Sequence, residues 1–582
     1  MQQFYTLIES IGELPMGNAT FGALYGMVIR YVLPLLAFWL LLRCGRSLLT
    51  FRKEPEVWGW LCLPDGNQLP ITHWENVIGR HKRSDIVIDL PFISRSHAVL
   101  TRYDDGSWTI SDIGSKGGVK VNRKDVTISA INPGDVISLN GLEMTLQPIS
   151  KEQEDYQTTL RTQPGRDYAP SLSLFILSFF QIFMLFQLFF TAKLEDMNSI
   201  FIGFASLFAL QWGLFFFYRI IRRKGYEIET IAFFLSTLGM ALISTVTPGE
   251  TTKQLYATLM GMTAFLFIGW SLRDLERAKV IRHLAACAGL LLLAVNLIFG
   301  EELYGAKNWI SIGPFSFQPS EIVKLCFIFV GTSTMNRIVS FRNMTMFIVY
   351  SLIICGCLAY MNDFGTALIF FAAFLMIAYL RSGNFATIAL VTTGLGFGGI
   401  TALRFLKPHV LQRFASWRHV WEVPLEAGGF QQTRSMMCIA SGGLLGLGGG
   451  NGWLKYVAAS DTDLVFATVS EEWGLLIAGM MVASIVILGV FVVRSAPMGR
   501  SSFYTISACA AITFLMVQTV LNVFGTVDLL PLTGVTFPFV SNGGSSMISA
   551  WGMLAFIKAA DTRQNASFAV RLHAKHLEGE DA

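Results

Sequence analysis

Two aspartates and two glutamates crowd one stretch, YVAASDTDLVFATVSEEWG (456–474). Asp461 and Asp463 stand at the threshold of a long apolar run, and Glu471 and Glu472 lie inside it. A carboxylate beside lipid is costly. The pattern therefore admits three roles: a cap for the helix that starts near Leu464, an ion path, or a general base. A positioned carboxylate that takes a proton from a weakly acidic hydroxyl is worth roughly 10²–10⁴ in rate. Continued as a helix from Asp463, the chain carries Glu471 to about 80° from it and Glu472 to about the opposite face. Glu471 is then a candidate for the same cavity and Glu472 for a pairing elsewhere in the bundle, with packing open for both. A second pair, Glu321 and Lys324, is spaced i,i+3 and shares one helix face. The two can neutralise each other inside a membrane, as a structural ion pair or as part of a substrate cavity.

A bundle must position these groups. The 582 residues are 53% apolar and only 14% charged, with a mean hydropathy of +0.51, which indicates a polytopic membrane protein. The net charge of +4 is spread along the chain and gives no reason to expect a nucleic-acid partner. Eight cysteines show neither zinc-type nor redox-type spacing. Apolar segments of spanning length recur near 21–43, 171–191, 198–219, 229–247, 254–272, 282–299 and 320–336. Six more follow near 344–361, 365–380, 387–405, 464–493, 503–525 and 543–558, about thirteen spans in all. The first reads as a retained anchor rather than a cleaved signal, because no small-residue cleavage site follows it. Cations after the first span (Arg43, Arg46, Arg52, Lys53), in RIIRRK (219–224) and in RDLERAK (273–279) place those ends in the cytoplasm. The N-terminus is then outside and the C-terminal tail inside. By parity the loop at 406–463 lies outside.

Residues 55–150 break the membrane pattern. Short alternating runs such as DIVIDL, HAVLTRY and SWTISDI, separated by turn signals, predict an all-β sandwich on the cytoplasmic side. The stretch 151–170 reads as a flexible linker between the anchor with its sandwich and the remaining spans. Within the sandwich, GR (79–80), SRSH (94–97) and DIGSKGGVKVN (112–122) fall on loops. These motifs resemble the forkhead-associated (FHA) domain, which reads phosphothreonine peptides. The resemblance implies a phosphate held by Arg80, Ser94, Arg95, Ser115 and Lys116 through charge-assisted hydrogen bonds, while His97 reads as a satisfied core histidine. The family usually has Thr-Asn-Gly where this chain has Lys116-Gly117-Gly118. The missing asparagine normally holds the peptide backbone, so a scaffold that binds a partner without phosphate is the rival reading.

The string LYGAKNWISIGPFSFQPSEIVKL (303–325) reads as an outer loop with an exposed Trp309, then a helix start at Pro319 and Ser320. Downstream lie NDFGTAL (362–368), ASGGLLGLGGGNG (440–452), TDLVFATVSEEWGLL (462–476) and LLPLTGVTFPFVSNGGSS (529–546). Taken in order, these five motifs closely resemble the SEDS family, the RodA and FtsW glycosyltransferases that polymerise peptidoglycan. The resemblance implies a core of about ten spans over 228–560, preceded by an anchor (1–54) and two additional helices (171–227) and followed by a cytoplasmic tail (561–582).

What the resemblance implies chemically is transfer of a growing glycan, with undecaprenyl pyrophosphate leaving, to a sugar hydroxyl of an incoming lipid II. The family's catalytic aspartate directly precedes the Phe/Leu-Ile/Val-Phe run, and that position is Asp463. A family glutamate eight residues earlier is Lys455 here, so an auxiliary acid is lost or has moved, with Asp461 the neighbour that covers for it. This weakens the expectation of a divalent cation, and a metal site stays undetermined. Residues carried over to a substrate cavity are Trp309, Gln318, Ser320, Glu321, Lys324, Asp363, Arg413, Gln432, Arg434, Glu471, Ser541, Gly543 and Gly544. The glycines of SNGGSS read either as loop punctuation or as amides that hold an anion. A class B penicillin-binding protein is the implied partner for crosslinking, and a Ser/Thr kinase pathway is implied by the FHA domain. Two rivals use the same bundle: a lipid II flippase, and a catalytically silent membrane scaffold for a penicillin-binding protein.

Overall fold

The computed structural model describes residues 19–50, 57–82, 84–103, 106–150, 152–153, 156, 169–221, 223, 225–273, 275–303, 306–312, 315–332, 341–382, 389, 392, 415–425, 429–499, 501–562 and 567–568. Arg413, most of the linker and tail, and nearly all of the span expected at 387–405 lie outside the described residues.

The alternating segment folds as expected into two facing sheets. Its strands are β1 (Gly59–Cys62), β2 (Gln68–Ile71), β3 (Glu75–Gly79), β4 (Ile86–Val87), β5 (Ala98–Arg102) and β6 (Trp108–Asp112). They continue as β7 (Val119–Val121), β8 (Lys124–Val126), β9 (Ile128–Ile131), β10 (Val136–Leu139) and β11 (Leu142–Pro148). One sheet has the order β2-β1-β11-β10-β7-β8 and the other β4-β3-β5-β6-β9. Inward residues such as Leu61, Ile78, Leu100, Ile110 and Ile137 are fully buried between them.

The apolar segments are helices: α1 (Ala19–Leu49), α2 (Pro170–Phe189), α3 (Leu194–Ile220), α4 (Glu227–Val246), α5 (Thr251–Ser271) and α6 (Leu275–Phe299). After a small three-stranded sheet, β12 (Glu301–Leu303), β13 (Ala306–Ile312) and β14 (Phe315–Phe317), come α7 (Pro319–Thr332), α8 (Phe341–Tyr360) and α9 (Phe364–Ser382). The last are α10 (Phe430–Gly442), α11 (Val465–Ser495), α12 (Ser502–Thr526) and α13 (Gly544–Ala559). Among the described residues, eight helices are long and apolar enough to cross a membrane by length and composition.

Polar groups staple this bundle where apolar packing alone has no direction. Gln181 of α2 and Gln211 of α3 exchange amide hydrogen bonds at 3.1 and 3.0 Å, and Gln181 also donates to Thr237 of α4 at 3.0 Å. The two additional helices are thereby built into the core. A buried ion pair, Lys558 Nζ to Glu229 at 3.0 Å, joins α13 to α4, and the Tyr218 hydroxyl of α3 donates to the same carboxylate at 3.0 Å.

The sandwich rests on one end of the bundle. The Glu75 carboxylate accepts from Ser502 and, at 3.3 Å, from Ser501, the N-cap of α12. His73 Nε2 lies 3.4 Å from the Pro497 carbonyl, just past the end of α11. Asp463 is at the other end of α11. The unbroken α12 runs from Ser502, which bonds to Glu75, to Asn522, whose side chain bonds to the Asp463 carbonyl, about 30 Å along its axis, so the β domain and Asp463 occupy opposite ends of the membrane unit.

The run expected as one uninterrupted span is broken. At Gly474 the backbone leaves the helical region (φ 88°, ψ 163°) and then resumes. In an unbroken helix, Leu475 and Leu476 would donate to the carbonyls of Glu471 and Glu472. Here Leu447 and Gly448 donate to those two carbonyls, both at 2.8 Å. Leu475 and Leu476 instead donate to Gly443 and Leu444, at 2.9 and 3.2 Å. The glycine-rich loop has inserted itself into the helix ladder and gives these four backbone groups new partners. Such an approach needs the absence of side chains. A Cβ on Gly474 would stand 2.3 Å from the Leu444 carbonyl oxygen, and one on Gly446 (φ 81°) 2.3 Å from that of Glu472.

Gly474→Ala is therefore expected to lower stability by more than the roughly 1–3 kcal/mol of a backbone outlier alone. Thermal unfolding of the detergent-purified protein, followed by tryptophan fluorescence, measures this; an unchanged midpoint would contradict the inserted-loop account.

Candidate functional site

The two aspartates sit in a tight turn before α11, and three elements fix that turn. Ala459, at φ 63°, offers its carbonyl to the amides of Thr462, Asp463 and Leu464 at 3.3, 2.9 and 3.1 Å. Asn522 of α12 donates its side-chain amide to the Asp463 carbonyl at 2.9 Å and to that of Val535 at 2.8 Å. Ser541 donates to the Thr462 carbonyl at 2.6 Å and accepts from the Phe537 amide at 2.7 Å. The last loop, between α12 and α13, thus folds over the turn and clamps it.

The tertiary structure gives the two carboxylates different surroundings. Asp461 Oδ2 accepts from the Thr247 hydroxyl at 3.1 Å and from Asn542 Nδ2 at 2.9 Å, and its carbonyl takes the Asn542 amide at 2.8 Å. It is a latch between α4 and the last loop. Lys455 bonds instead to the Gly450 carbonyl at 2.7 Å, so the expected cover of Asp461 for a missing acid there meets a carboxylate already engaged. Asp463 is half-buried, its carboxylate directed at Gly534 in that same loop. A Cβ at Gly534 would lie 3.3 Å from Oδ2.

Glu471 does not share this cavity. The angular argument assumed a helix from Asp463, whereas the helix begins at Val465 and Asp463 belongs to the turn. The Glu471 oxygens accept from the backbone amides of Trp453 and Leu454 at 2.8 and 2.9 Å, which anchors the far end of the glycine-rich loop. Glu472 is fully buried beside Gly450, Thr245 and Lys455.

A second polar cluster borders the last loop. Asp363 caps α9 by accepting from the Thr366 amide at 3.1 Å, and its other oxygen accepts from Asn308 at 3.0 Å and Gln318 at 3.4 Å. The Gln318 amide reaches the Ser545 hydroxyl of α13 at 3.2 Å. Gly365 packs on Thr533, next to the Gly534 that faces Asp463. Trp309, expected to be exposed, is half-buried in β13 opposite Glu301, because the outer loop is a sheet.

Glu321 and Lys324 form a closed pair at 2.7 Å, both almost fully buried. Glu321 Oε2 and the Ser320 hydroxyl are buried without a partner among the described residues. Two residues apart on α10, Gln432 and Arg434 leave the helix about 200° from each other. Gln432 donates to the Gly525 carbonyl at 2.9 Å, and Arg434 lies 4.9 Å over the Phe430 ring. Gly543 and Gly544 begin α13. Reading the sequence missed Thr247, Asn522, Asn542 and Gly534. Asn522, an amide in an apolar helix, was the available signal. Among the described residues no group of three or more His, Cys, Asp and Glu gathers as metal ligands would.

In the β domain three loops meet. The Arg80 amide donates to the Ser94 carbonyl at 3.0 Å, and the Lys116 amide to the Ser94 hydroxyl at 3.1 Å. The Arg80 guanidinium donates to the Pro91 carbonyl at 3.2 Å, and Arg95 is exposed beside it. The Ser115 hydroxyl is buried without a partner among the described residues, while its amide donates to Asp112. His97 is fully buried: Nδ1 accepts from the Ser94 amide at 3.2 Å, so the ring proton is on Nε2 and donates to the Gly118 carbonyl at 3.0 Å. It is a core histidine that braces the loops. Where the family has asparagine, a Cβ on Gly117 would collide with the Asn140 side chain at 2.2 Å. Asn140 fills that space and donates to the Phe92 carbonyl at 2.9 Å.

Comparison with known proteins agrees with both halves. The model of the FtsW/RodA/SpoVE family, described as cell cycle protein, matches residues 230–566, and the FHA domain model matches 76–140. The chain is 31% identical over 326 residues to the peptidoglycan glycosyltransferase RodA of Mycobacterium tuberculosis, covering 52% of this chain and 69% of that one. It is 30% identical over 328 residues to the stage V sporulation protein E of Bacillus subtilis, with 52% and 85% covered. Among solved structures, a chain from "Structural coordination of polymerization and crosslinking by a peptidoglycan synthase complex" is 23% identical, with 57% of this chain and 96% of that chain covered and a TM-score of 0.47. With the ordered motifs on a helical bundle and an FHA sandwich at one end, the chain belongs to the FtsW/RodA/SpoVE family and carries an FHA domain.

Proposed function

We propose that the chain is a peptidoglycan glycosyltransferase in which Asp463 is the general base, acting on lipid II at the outer face of the cytoplasmic membrane. The observation that carries this reading is the placement of Asp463 in a turn clamped by Asn522 and Ser541, with its Oδ2 facing Gly534 of the last loop. In the reaction the Asp463 carboxylate takes the proton of the acceptor sugar hydroxyl. The oxygen then bonds to the anomeric carbon of the growing strand, and the bond from that carbon to undecaprenyl pyrophosphate breaks. No step is assigned to a metal.

Two linked steps support the orientation. The cations predict a cytoplasmic β domain, and Glu75 and His73 hold that domain at the end of α11 remote from Asp463. With the FHA domain inside, Asp463 is outside, where the wall is assembled. The closed Glu321–Lys324 pair suits a structural role better than a flippase path. The FHA loops suit a phosphothreonine peptide from a Ser/Thr kinase pathway, with Arg80, Arg95 and Lys116 offering cations around Ser94. A class B penicillin-binding protein would supply the crosslinking activity.

Polymerisation of lipid II by the purified protein with its penicillin-binding partner tests the assignment. Asp463→Asn is expected to lower the rate roughly 10²–10⁴-fold with unchanged thermal stability; full activity would defeat the base assignment. Asp461→Asn keeps an acceptor oxygen for Thr247 and Asn542 and should polymerise nearly normally, whereas Asp461→Ala should lose about 1–3 kcal/mol of stability. Flipping without glycan product in the unaltered protein would favour transport. For the FHA domain, calorimetry with phosphothreonine peptides should show binding that Arg80→Ala abolishes. Equal binding of phosphorylated and unphosphorylated peptides would mark a scaffold instead.

A further inference from the structure

The additional helices create a pocket outside the family core. Helices α1 and α2 close against the glycine-rich loop around a cavity of about 290 Å³, whose lining includes Tyr25, Arg30, Gln187, Thr191, Gly448 and Asn451. Neither helix falls within the segment matched to the family.

Three nitrogen donors converge on one wall of this pocket. A Cβ at Gly448 would lie 3.2 Å from Asn451 Nδ2 and 3.6 Å from both Arg30 Nη2 and Gln187 Nε2. The orientation of the Gln187 amide is fixed. The Trp473 indole, which can only donate, gives its hydrogen to Gln187 Oε1 at 3.1 Å, leaving Nε2 on the pocket side. Arg30 Nη2 and, at 3.3 Å, Asn451 Nδ2 each give one hydrogen to the Leu447 carbonyl, and Arg30 Nε is buried with no partner among the described residues. Among the described residues the lining contains no acidic side chain. Leu24, Met27, Val28 and Tyr31, the neighbours of Arg30 on α1, are exposed on the outside of the bundle. A cation at that depth is costly unless an anion or a dipole answers it, and a single carbonyl does not neutralise a guanidinium.

We propose that this pocket binds the phosphate group of a membrane lipid, with Arg30 supplying the charge and Gln187 and Asn451 the neutral donors. The bound phosphate would sit against Leu447 and Gly448, the residues whose amides bond to Glu471 and Glu472 at the break in α11. Lipid occupancy then steadies the inserted loop, and with it the helix that begins beside Asp463. The proposal does not depend on the glycosyltransferase reading, because its test reads stability.

The full chain is reconstituted in nanodiscs of phosphatidylcholine alone, with added phosphatidylglycerol, or with added polyprenyl phosphate. A fourth sample receives inorganic phosphate in phosphatidylcholine discs. The unaltered protein should unfold at higher temperature with an anionic lipid, and the larger rise identifies which lipid is preferred. Arg30→Gln, whose amide ends two bonds short of Nη2, should lose that rise on top of any drop it shows in phosphatidylcholine. Arg30→Lys should keep part of it. As a second variant, Asn451→Ala, at an exposed loop position, should weaken the lipid titration several-fold. An equal drop for Arg30→Gln in every disc would reduce Arg30 to a latch on Leu447 and overturn the proposal. So would a rise that survives both Arg30→Gln and Asn451→Ala, or a rise given as fully by inorganic phosphate.

Discussion

A helix interrupted inside a membrane leaves backbone donors and acceptors that water cannot reach, and the site depends on how this chain answers that constraint. At Gly474 two carbonyls and two amides lose their helical partners, and the loop after α10 supplies all four replacements. The inserted loop in turn has to be held, and Glu471 does so by accepting the amides of Trp453 and Leu454. From there the chain runs only a few residues to Ala459, whose carbonyl gathers the amides that shape the turn of Asp463. The position of the candidate base is thus set through backbone hydrogen bonds that side-chain packing alone could not direct. Glycines recur here because the two backbones approach closer than any Cβ allows.

The same turn shows how a bundle makes two nearby carboxylates unequal. Thr247 at the end of α4 and Asn542 before α13 converge on Asp461, so that residue joins parts of the chain almost three hundred positions apart. The Asp463 carboxylate faces Gly534. A side chain at 534 would crowd its Oδ2, and the lack of one leaves room beside the carboxylate. The Asp363 cluster, resting on the same loop through Gly365 and Thr533, shapes the neighbouring wall.

The FHA domain is held to the bundle by more than a tether. Buried Glu75 meets hydroxyls at the N-terminus of α12, where the helix dipole favours negative charge. Anything that alters the loops around Ser94 therefore acts on a domain already in contact with the end of the broken helix.

Much was legible in the sequence because it depends on local pattern. Apolar runs of spanning length predict the helices, period-two alternation predicts the sandwich, and five ordered motifs predict the family. The i,i+3 spacing of Glu321 and Lys324 predicts their pairing, and the structure shows it at 2.7 Å. What failed was each inference that extended a regular element through an irregular one. The angle between Asp463 and Glu471 presumed a helix where there is a turn, and Trp309 was read as exposed on a loop that is a sheet. Partners distant along the chain, such as Thr247 and Asn542 for Asp461 or Lys558 for Glu229, leave no spacing to read. The sequence by itself determined which elements form and which residue types are at hand, since helix, strand and span follow from short-range periodicity. Only the tertiary structure decided that Asp461 is a latch, that Glu471 anchors a loop and that Asp463 faces the last loop, because those placements depend on groups brought from remote parts of the chain.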